Sequence, residues 1–159
     1  MPIDPGQFRQ AMSRYPSGVV VVTTVVDGFD HAMTANSFTS VSLDPPLVLV
    51  CVERATRFHE AVMSTDHWGV SVLDHDHADA ARWFARKGRP LAGQMEKTSF
   101  HRGTNGVPLI DGALATFEVT TTQVSPAGDH DIVVGEVTAL QVGDSDSPLI
   151  FFERTLRGL

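Results

Sequence analysis

The chain has 159 residues and a net charge of −7, and 42% of its residues are hydrophobic. This length suits one domain with a core of its own, and the negative charge argues against binding to nucleic acid or to an anionic membrane surface. The single cysteine, Cys51, excludes an intrachain disulfide, and no apolar run approaches the roughly 18 residues of a membrane span.

The first quarter of the chain predicts a short helix and a β-hairpin. Asp4 and Pro5 are typical of a helix start, because Asp accepts a capping hydrogen bond and Pro fits the first turn. The same segment lacks the regions of a secretory signal, so we expect a cytoplasmic protein. Residues 18–26 are mostly β-branched, and the Asp27–Gly28 pair predicts a tight turn before a return strand over residues 31–39.

The middle of the chain predicts two further strands and two helices. The Pro45–Pro46 pair precedes a buried strand over residues 47–52, because proline is tolerated where a strand begins. Thr56 predicts the start of a helix with apolar residues at helical spacing. Residues 67–73 alternate like a strand, and residues 74–85 are predicted to be helical.

The last third of the chain predicts mostly strands. Residues 107–112 carry loop signals, and two long strands follow over 113–124 and 131–142, separated by the loop SPAGDH. A short strand over 149–152 comes last. Six or seven strands with two or three helices that do not alternate favour an antiparallel barrel, and no linker divides the single domain expected over residues 1–159.

Several common motifs of binding and catalysis are absent from the sequence. It contains no G-x-G-x-x-G, no G-x-x-x-x-G-K-[ST] and no G-x-S-x-G, so dinucleotide-binding, P-loop and hydrolase interpretations lose their main support. Seven histidines raise the question of a metal, but neither residues 74–77 nor 129–131 have a zinc spacing. We therefore predict no metal site, and we expect Asp76 or a neighbour to cap the following helix.

Positive charge is concentrated in one segment. Residues 82–102 hold six of the twelve basic residues and only one acid, Glu96. The six are Arg82, Arg86, Lys87, Arg89, Lys97 and Arg102. In an acidic protein such a segment favours a small anionic ligand, a phosphate or pyrophosphate, over a long polyanion, with a solvated loop as the alternative.

The segment over residues 33–42, MTANSFTSVS, interleaves six small hydroxyl or amide side chains with apolar residues. Small polar residues on a strand leave backbone N–H groups accessible. Together these groups can bind the carbonyls of a flat heteroaromatic ring and a phosphate tail. A ligand cradle and an ordinary solvent-facing strand both fit this pattern.

Five blocks taken together resemble one family. In order they are PSGVVVVTT, HAMTANSFTSVSLDPPLVLVCV, WFARK, GVPLIDGALATFEV and AGDHDIVVGEV, from about Phe8 to Phe152. They resemble the flavin reductase domain of two-component flavin-dependent monooxygenases. The resemblance implies an antiparallel split β-barrel of the FMN-binding type, Greek-key-like, with flanking helices. It also implies a homodimer with flavin near the subunit interface, and a partner monooxygenase.

The resemblance also implies site residues. It implies ring and ribityl contacts from Thr34, Ala35, Asn36, Ser37, Ser40, Val41 and Ser42. It implies contacts near the phosphate from Cys51, Val52, Arg54, Thr56, Phe84, Arg86 and Lys87. It places His130 beside the nicotinamide and the flavin, with a solvated turn histidine as the alternative. A Lys-Phe pair of many relatives is displaced or absent in GRPLAGQMEKTSF, which leaves any role for Lys97 open.

The implied reaction is hydride transfer from NADH, or NADPH, to FMN or FAD. The protein would then mainly stack the two rings and tune the flavin, with backbone N–H groups near developing negative charge. His130 would position a ring rather than act as an obligate acid or base. Two rivals are a split-barrel protein that binds flavin or haem without reductase activity, and a pyridoxamine-phosphate-oxidase type of flavoenzyme.

Overall fold

The computed structural model describes residues 1–159 and consists mainly of antiparallel strands with three α-helices. The helices are α1 (Pro5–Met12), α2 (Arg57–Met63) and α3 (Ala78–Ala85). The strands are β1 (Ser17–Gly18), β2 (Val20–Val26), β3 (Phe29–Ala35), β4 (Thr39–Leu43), β5 (Pro46–Glu53), β6 (His67–Val72), β7 (Phe100–Arg102), β8 (Pro108–Ile110), β9 (Ala115–Ala127), β10 (His130–Val142), β11 (Leu149–Phe152) and β12 (Thr155–Gly158). Short 3-10 turns cover His75–His77 and Gln94–Lys97.

The predicted helix starts are confirmed. Asp4 and Thr56 each accept a hydrogen bond from the backbone N–H three residues later, which satisfies one of the free donors of the first turn. The helix predicted over 74–85 is divided into a 3-10 turn and α3. Asp74 caps that turn, and the turn ends where α3 begins.

The largest sheet has seven strands in the order β3-β2-β6-β9-β10-β5-β4. The turn between β2 and β3 is the predicted one, with positive φ angles of 51° at Asp27 and 77° at Gly28. The return strand ends at Ala35 and not at Thr39, so that part of the prediction is wrong. The chain leaves β3 there and crosses to the other edge of the sheet, where Thr39 begins β4 and pairs with Leu49 of β5.

Two hairpins were not predicted from the sequence, and the loop of a third was predicted too long. The loop predicted over residues 107–112 is wrong for residues 108–110, because they form β8, which pairs with β7 and is fully buried. A further strand, β12, pairs with β11 where the sequence analysis predicted no strand. The turn between β9 and β10 contains only residues 128–129, and Pro126 lies within β9. Proline is tolerated there because β6 pairs with β9 only as far as Thr120.

Strand β2 separates two apolar cores. Val20 and Val22 belong to a cluster that includes Trp68, whereas Val19, just before the strand, and Val21 belong to a second cluster. The second cluster contains the buried face of α3, so it fixes that helix against β2 and β3. No helix is long and apolar enough to cross a membrane.

Candidate functional site

Two cavities adjoin where β3 and α3 both end. Their volumes are about 460 and about 470 Å³, each within the range of small-molecule sites in proteins. Thr34 and Ala85 line both of them. We call the first the apolar cavity and the second the polar cavity, because their side chains differ in kind.

The apolar cavity is formed by the end of β3, one face of α3 and the C-terminal hairpin of β11 and β12. Ala81 and Ala85 lie one turn apart on α3, and their small side chains leave space in the cavity beside the helix. The Thr34 hydroxyl donates to the Ala81 carbonyl oxygen at 2.7 Å, which ties β3 to α3 and occupies that hydroxyl proton. The lining residues are Val19, Thr34, Ala35, Asn36, Ala81, Arg82, Ala85, Phe151, Arg154, Thr155 and Leu156.

The polar cavity lies between β3, the start of α2 and the loop after α3. Four of its lining residues are Arg or Lys, and Glu53 is its only carboxylate. The lining residues are His31, Ala32, Met33, Thr34, Glu53, Ala55, Thr56, Arg57, Phe58, Phe84, Ala85, Arg86, Lys87, Gly88 and Arg89. An excess of positive charge in a concave site attracts an anionic ligand.

None of the four cations of the polar cavity forms an ion pair, although five other arginines of the chain do. Arg89 is held instead by carbonyl oxygens, including those of Phe84 at 2.7 Å and Ala32 at 2.6 Å. Arg57 donates to the Arg89 carbonyl oxygen at 2.9 Å. Burial, and then the charge of Arg57, lower the pKa of Arg89, as expected for a guanidinium without a carboxylate partner.

His130 stands at the tip of the β9–β10 hairpin and lines neither cavity. Its backbone is paired with Glu53, which does line the polar cavity. The His130 ring lies 2.7 Å from the Asp129 carboxylate through Nδ1, and that hydrogen bond lowers the pKa of Asp129. The Arg54 N–H donates to the Asp129 carbonyl oxygen at 3.0 Å, so the hairpin tip rests on the loop before α2.

A buried carboxylate fixes that hairpin tip. Asp131 accepts hydrogen bonds from Arg54 Nη2 at 2.7 Å and Arg54 Nε at 3.2 Å, and its other oxygen lies 2.7 Å from His59 Nε2. These bonds, the one from Arg54 first, lower the pKa of Asp131 from 3.8 to about 2. We call these three residues the clamp. Sequence reasoning missed Asp131 and His59, since nothing local pairs residues so far apart.

Seven of the fourteen predicted cofactor residues line the cavities. They are Thr34, Ala35, Asn36, Thr56, Phe84, Arg86 and Lys87.

The other seven predicted residues lie outside both cavities. Ser37 Oγ is 3.1 Å from both the N and the O of Cys51, so these two residues bind each other. Val52 is fully buried in the core, and Arg54 belongs to the clamp. Ser40, Val41 and Ser42 lie on the edge strand β4.

The positive segment is divided by the fold. Arg86, Lys87 and Arg89 line the polar cavity and Arg82 the apolar one. The remaining two are engaged elsewhere: Lys97 Nζ lies 5.6 Å from the centre of the Trp83 ring, and Arg102 pairs with Asp30.

Sequence reasoning also missed cavity residues outside that segment. Among them are His31, Arg57 and the C-terminal residues Phe151, Arg154, Thr155 and Leu156. Arg57 directly follows the capping residue Thr56, so the sequence already indicated that Arg57 begins a helix. Thr155 and Leu156 carried no signal, because their strand β12 was not predicted. Phe151 lies on the predicted strand β11, and Arg154 lies in the turn after it.

Comparison with known proteins gives a consistent result. A family model described as "Flavin reductase like domain" matches residues 12–159. The actinorhodin polyketide dimerase of Streptomyces coelicolor is 40% identical over 160 residues, covering 100% of this chain and 89% of that protein. An NADH-dependent flavin reductase of a Rhodococcus species is 38% identical over 160 residues, covering 99% and 88%.

Solved structures agree with this match. The flavin reductase component of a bacterial two-component tryptophan halogenase superposes with a TM-score of 0.93 at 42% identity, covering 98% of each chain. The NADH:FAD oxidoreductase SgcE6 of Streptomyces globisporus, solved in complex with NAD and FAD fragments, superposes with a TM-score of 0.91 at 35% identity. That match covers 99% of this chain and 95% of the other.

Proposed function

Because the chain belongs to the family of flavin reductase-like domains, we propose that it reduces FMN or FAD with NADH and supplies the reduced flavin to a partner monooxygenase. NADPH is the alternative donor. Similar proteins named as an NADH-dependent flavin reductase and as the reductase component of a two-component halogenase support this function. NADH and free flavins are cytoplasmic metabolites, which supports the cytoplasm as the compartment.

The observation that carries the proposal is the pair of adjoining cavities. A flavin joins a flat, largely apolar ring to a phosphorylated tail. The apolar cavity is lined mainly by apolar side chains, with Arg82 and Arg154 also in its lining. The polar cavity offers four cations, none of which forms an ion pair with a carboxylate of the chain. The residues present therefore fit a flavin whose ring and phosphate occupy different cavities.

The proposed roles follow from these positions. Backbone groups of Thr34, Ala35 and Asn36 would contact the ring, and Arg86 and Lys87 the phosphate, with Thr56 and Phe84 beside them. Four of the remaining predicted residues would act indirectly. The Ser37–Cys51 pair and Val52 would support the cavity wall, and Arg54 would hold the β9–β10 hairpin in place. On the edge strand β4, Ser40, Val41 and Ser42 offer unpaired backbone groups to the ribityl chain.

When bound, flavin and nicotinamide supply the hydride chemistry themselves. The chain's residues bring the two rings together and exclude alternative arrangements. Small side chains at Ala35, Ala81 and Ala85 leave a flat ring room to lie against the backbone. His130, at the hairpin tip beside Glu53, orients the nicotinamide from the rim.

We propose that residues 1–159 form one domain and that its large sheet curls into a split barrel. Strand β2 and the residue before it contribute side chains to both apolar cores, which supports a single domain. Only residues 36–38 connect β3 to β4, at opposite edges of seven strands. That connection spans at most about 14 Å, whereas a flat sheet would be about 29 Å wide, so the edges must approach each other.

We propose that the chain forms a homodimer, and the exposed apolar side chains support this. Helix α1 has no buried residue although it carries Phe8 and Met12, and Leu43, Leu140 and Val142 are 91%, 62% and 74% exposed. Surfaces of this kind mark an interface with another chain. Sedimentation equilibrium should give twice the chain mass, and a monomer at micromolar concentration would contradict this part of the proposal.

The direct test of the function is turnover. Purified protein is mixed anaerobically with NADH and a large excess of FMN or FAD, and the loss of NADH absorbance is followed. Many NADH molecules oxidised per protein chain would support a reductase that releases its product. Bound flavin without NADH oxidation would favour a binding module, and flavin retained through purification with amine oxidation would favour the pyridoxamine-phosphate-oxidase type.

A further inference from the structure

His31 presents an unsatisfied polar group at the polar cavity. It lies on β3, lines the cavity, and its Nδ1 is buried without a hydrogen-bond partner. A buried polar atom without a partner is costly, so native proteins rarely leave one unless water or a ligand satisfies it. No role for this residue came from the sequence.

A second unsatisfied atom belongs to Arg89, another residue that lines this cavity. The Nε of Arg89 is buried and has no partner, although its other nitrogens donate to carbonyl oxygens of Phe84 and Ala32. A guanidinium offers only donors. A ligand that satisfies this cavity must therefore bring acceptor atoms, as the oxygens of a phosphate do.

Charged groups from several elements of the chain surround His31. Burial and then the positive charge of Arg57 lower the pKa of His31, and the carboxylates of Asp30 and Glu60 act in the opposite direction more weakly. Asp30 is engaged by Arg102. The remaining charged groups of the cavity are Glu53, Arg86, Lys87 and Arg89. In the free protein, burial and Arg57 therefore favour the neutral form of the ring.

We infer that His31 is the proton-accepting member of this anion site: a phosphate ester bound beside Arg57 and Arg89 accepts a hydrogen bond from a His31 ring that takes up a proton from solvent. Neutral imidazole has one N–H, and the protonated ring has two, so protonation converts the remaining acceptor nitrogen into a donor. The inference rests on the proposed function in taking the ester to be the phosphate end of a flavin.

The pH dependence of binding follows with a definite sign. A bound dianion favours the protonated ring, so the pKa of His31 is higher in the complex than in the free protein. For a ligand whose own charge stays fixed over the range, affinity is greatest below the free-protein pKa. It falls by up to about tenfold per pH unit as the pH rises from that value to the pKa of the complex, and it is level above.

The test is an NMR titration of the His31 ring, which does not require activity. The His31 resonance is assigned by its loss in His31→Gln, and its pKa is measured alone and with saturating inorganic pyrophosphate, FMN, riboflavin or NAD⁺. We expect pyrophosphate and FMN to raise it by about one unit or more, and riboflavin and an equal concentration of NAD⁺ to leave it unchanged. His75→Gln, which alters an exposed histidine outside both cavities, should titrate like the wild type.

The possible outcomes separate this inference from the proposed function. No change with any ligand would overturn the inference, even if the protein reduces flavin. A rise with NAD⁺ but not with FMN would overturn the assignment of the phosphate to flavin. A rise with pyrophosphate in a protein that turns over no flavin would support the anion site and contradict the proposed function.

Discussion

His130 is the residue whose proposed role depends most on its neighbours. It lines neither cavity, but its backbone pairs with Glu53 at the rim and its ring is oriented by Asp129. A ring in this position can order a nicotinamide without contacting the flavin phosphate. Loss of the His130 ring should therefore change the kinetics with NADH and not the affinity for flavin.

Replacement of His130 by Ala should lower kcat/KM for NADH by roughly tenfold to a hundredfold, the range for loss of a positioning group. The dissociation constant for FMN should stay within about twofold of wild type, since the polar cavity is untouched. Steady-state kinetics and fluorescence titration measure the two quantities. Unchanged NADH kinetics would contradict the proposed role and indicate that His130 is a solvated turn residue. His75→Ala serves as the control.

The clamp connects three elements and holds the hairpin that carries His130. Asp131 is on β10, Arg54 is in the loop after β5, and His59 is on α2. Both carboxylate oxygens of Asp131 are engaged, which lowers its pKa to about 2. A carboxylate whose pKa is depressed by folding stabilises the fold above its unfolded-state pKa, and loses that effect as the pH falls through its folded-state pKa.

Asp131→Asn should lower the Tm by several degrees near neutral pH. The difference from wild type should shrink as the pH falls from 3.8 toward 2. Thermal unfolding followed by circular dichroism across this range checks it. Asp111→Asn is the comparison variant. Asp111 also contacts a histidine at 2.7 Å and its pKa is lowered, but its side chain is far more exposed, so its effect on the Tm should have the same sign and be smaller. A Tm difference that grows on acidification would show the sign to be wrong.

The long β9–β10 hairpin depends on close contact at Gly135. A Cβ at this position would lie 2.4 Å from Val119 Cγ1 and 2.8 Å from the Thr120 carbonyl oxygen, beside a register shift of the ladder. Gly135→Ala should therefore lower the free energy of unfolding by about 1–3 kcal/mol, the cost of overpacking. Gly18→Ala, which meets nothing within 4 Å, should change it by less than about 0.5 kcal/mol in the same urea titration. Equal stability of both variants would contradict this.

Elements with strong local signals could be predicted from the sequence. The caps Asp4 and Thr56 and the Asp27–Gly28 turn act within a few residues, so their patterns are visible without the fold. The hairpin of β11 and β12 was missed because its turn uses Glu153 and Arg154 at positive φ, which residue type does not reveal. Strand β8 was missed because it begins with a proline and is only three residues long.

At the scale of the whole molecule, the candidate site joins parts that lie far apart along the chain. The apolar cavity needs the C-terminal hairpin, and the polar cavity needs Arg57 of α2 beside the loop that carries Arg89. The local concentration of basic residues predicted an anionic ligand, and three of its six members line the polar cavity. The contributions of His31 and Arg57 required the tertiary structure, because no spacing in sequence brings them together.

The measurement that tests the central claim most directly is the preference for FMN over riboflavin, which differ only by the phosphate. The ratio of kcat/KM for the two flavins is compared between wild type and an Arg86→Gln, Lys87→Gln double variant. An Arg9→Gln, Lys97→Gln variant removes the same charges outside both cavities. If the polar cavity binds the phosphate, wild type and control should prefer FMN by about tenfold or more, and the cavity variant should lose most of that preference. Equal use of both flavins by wild type, or a preference that survives in the cavity variant, would contradict the account.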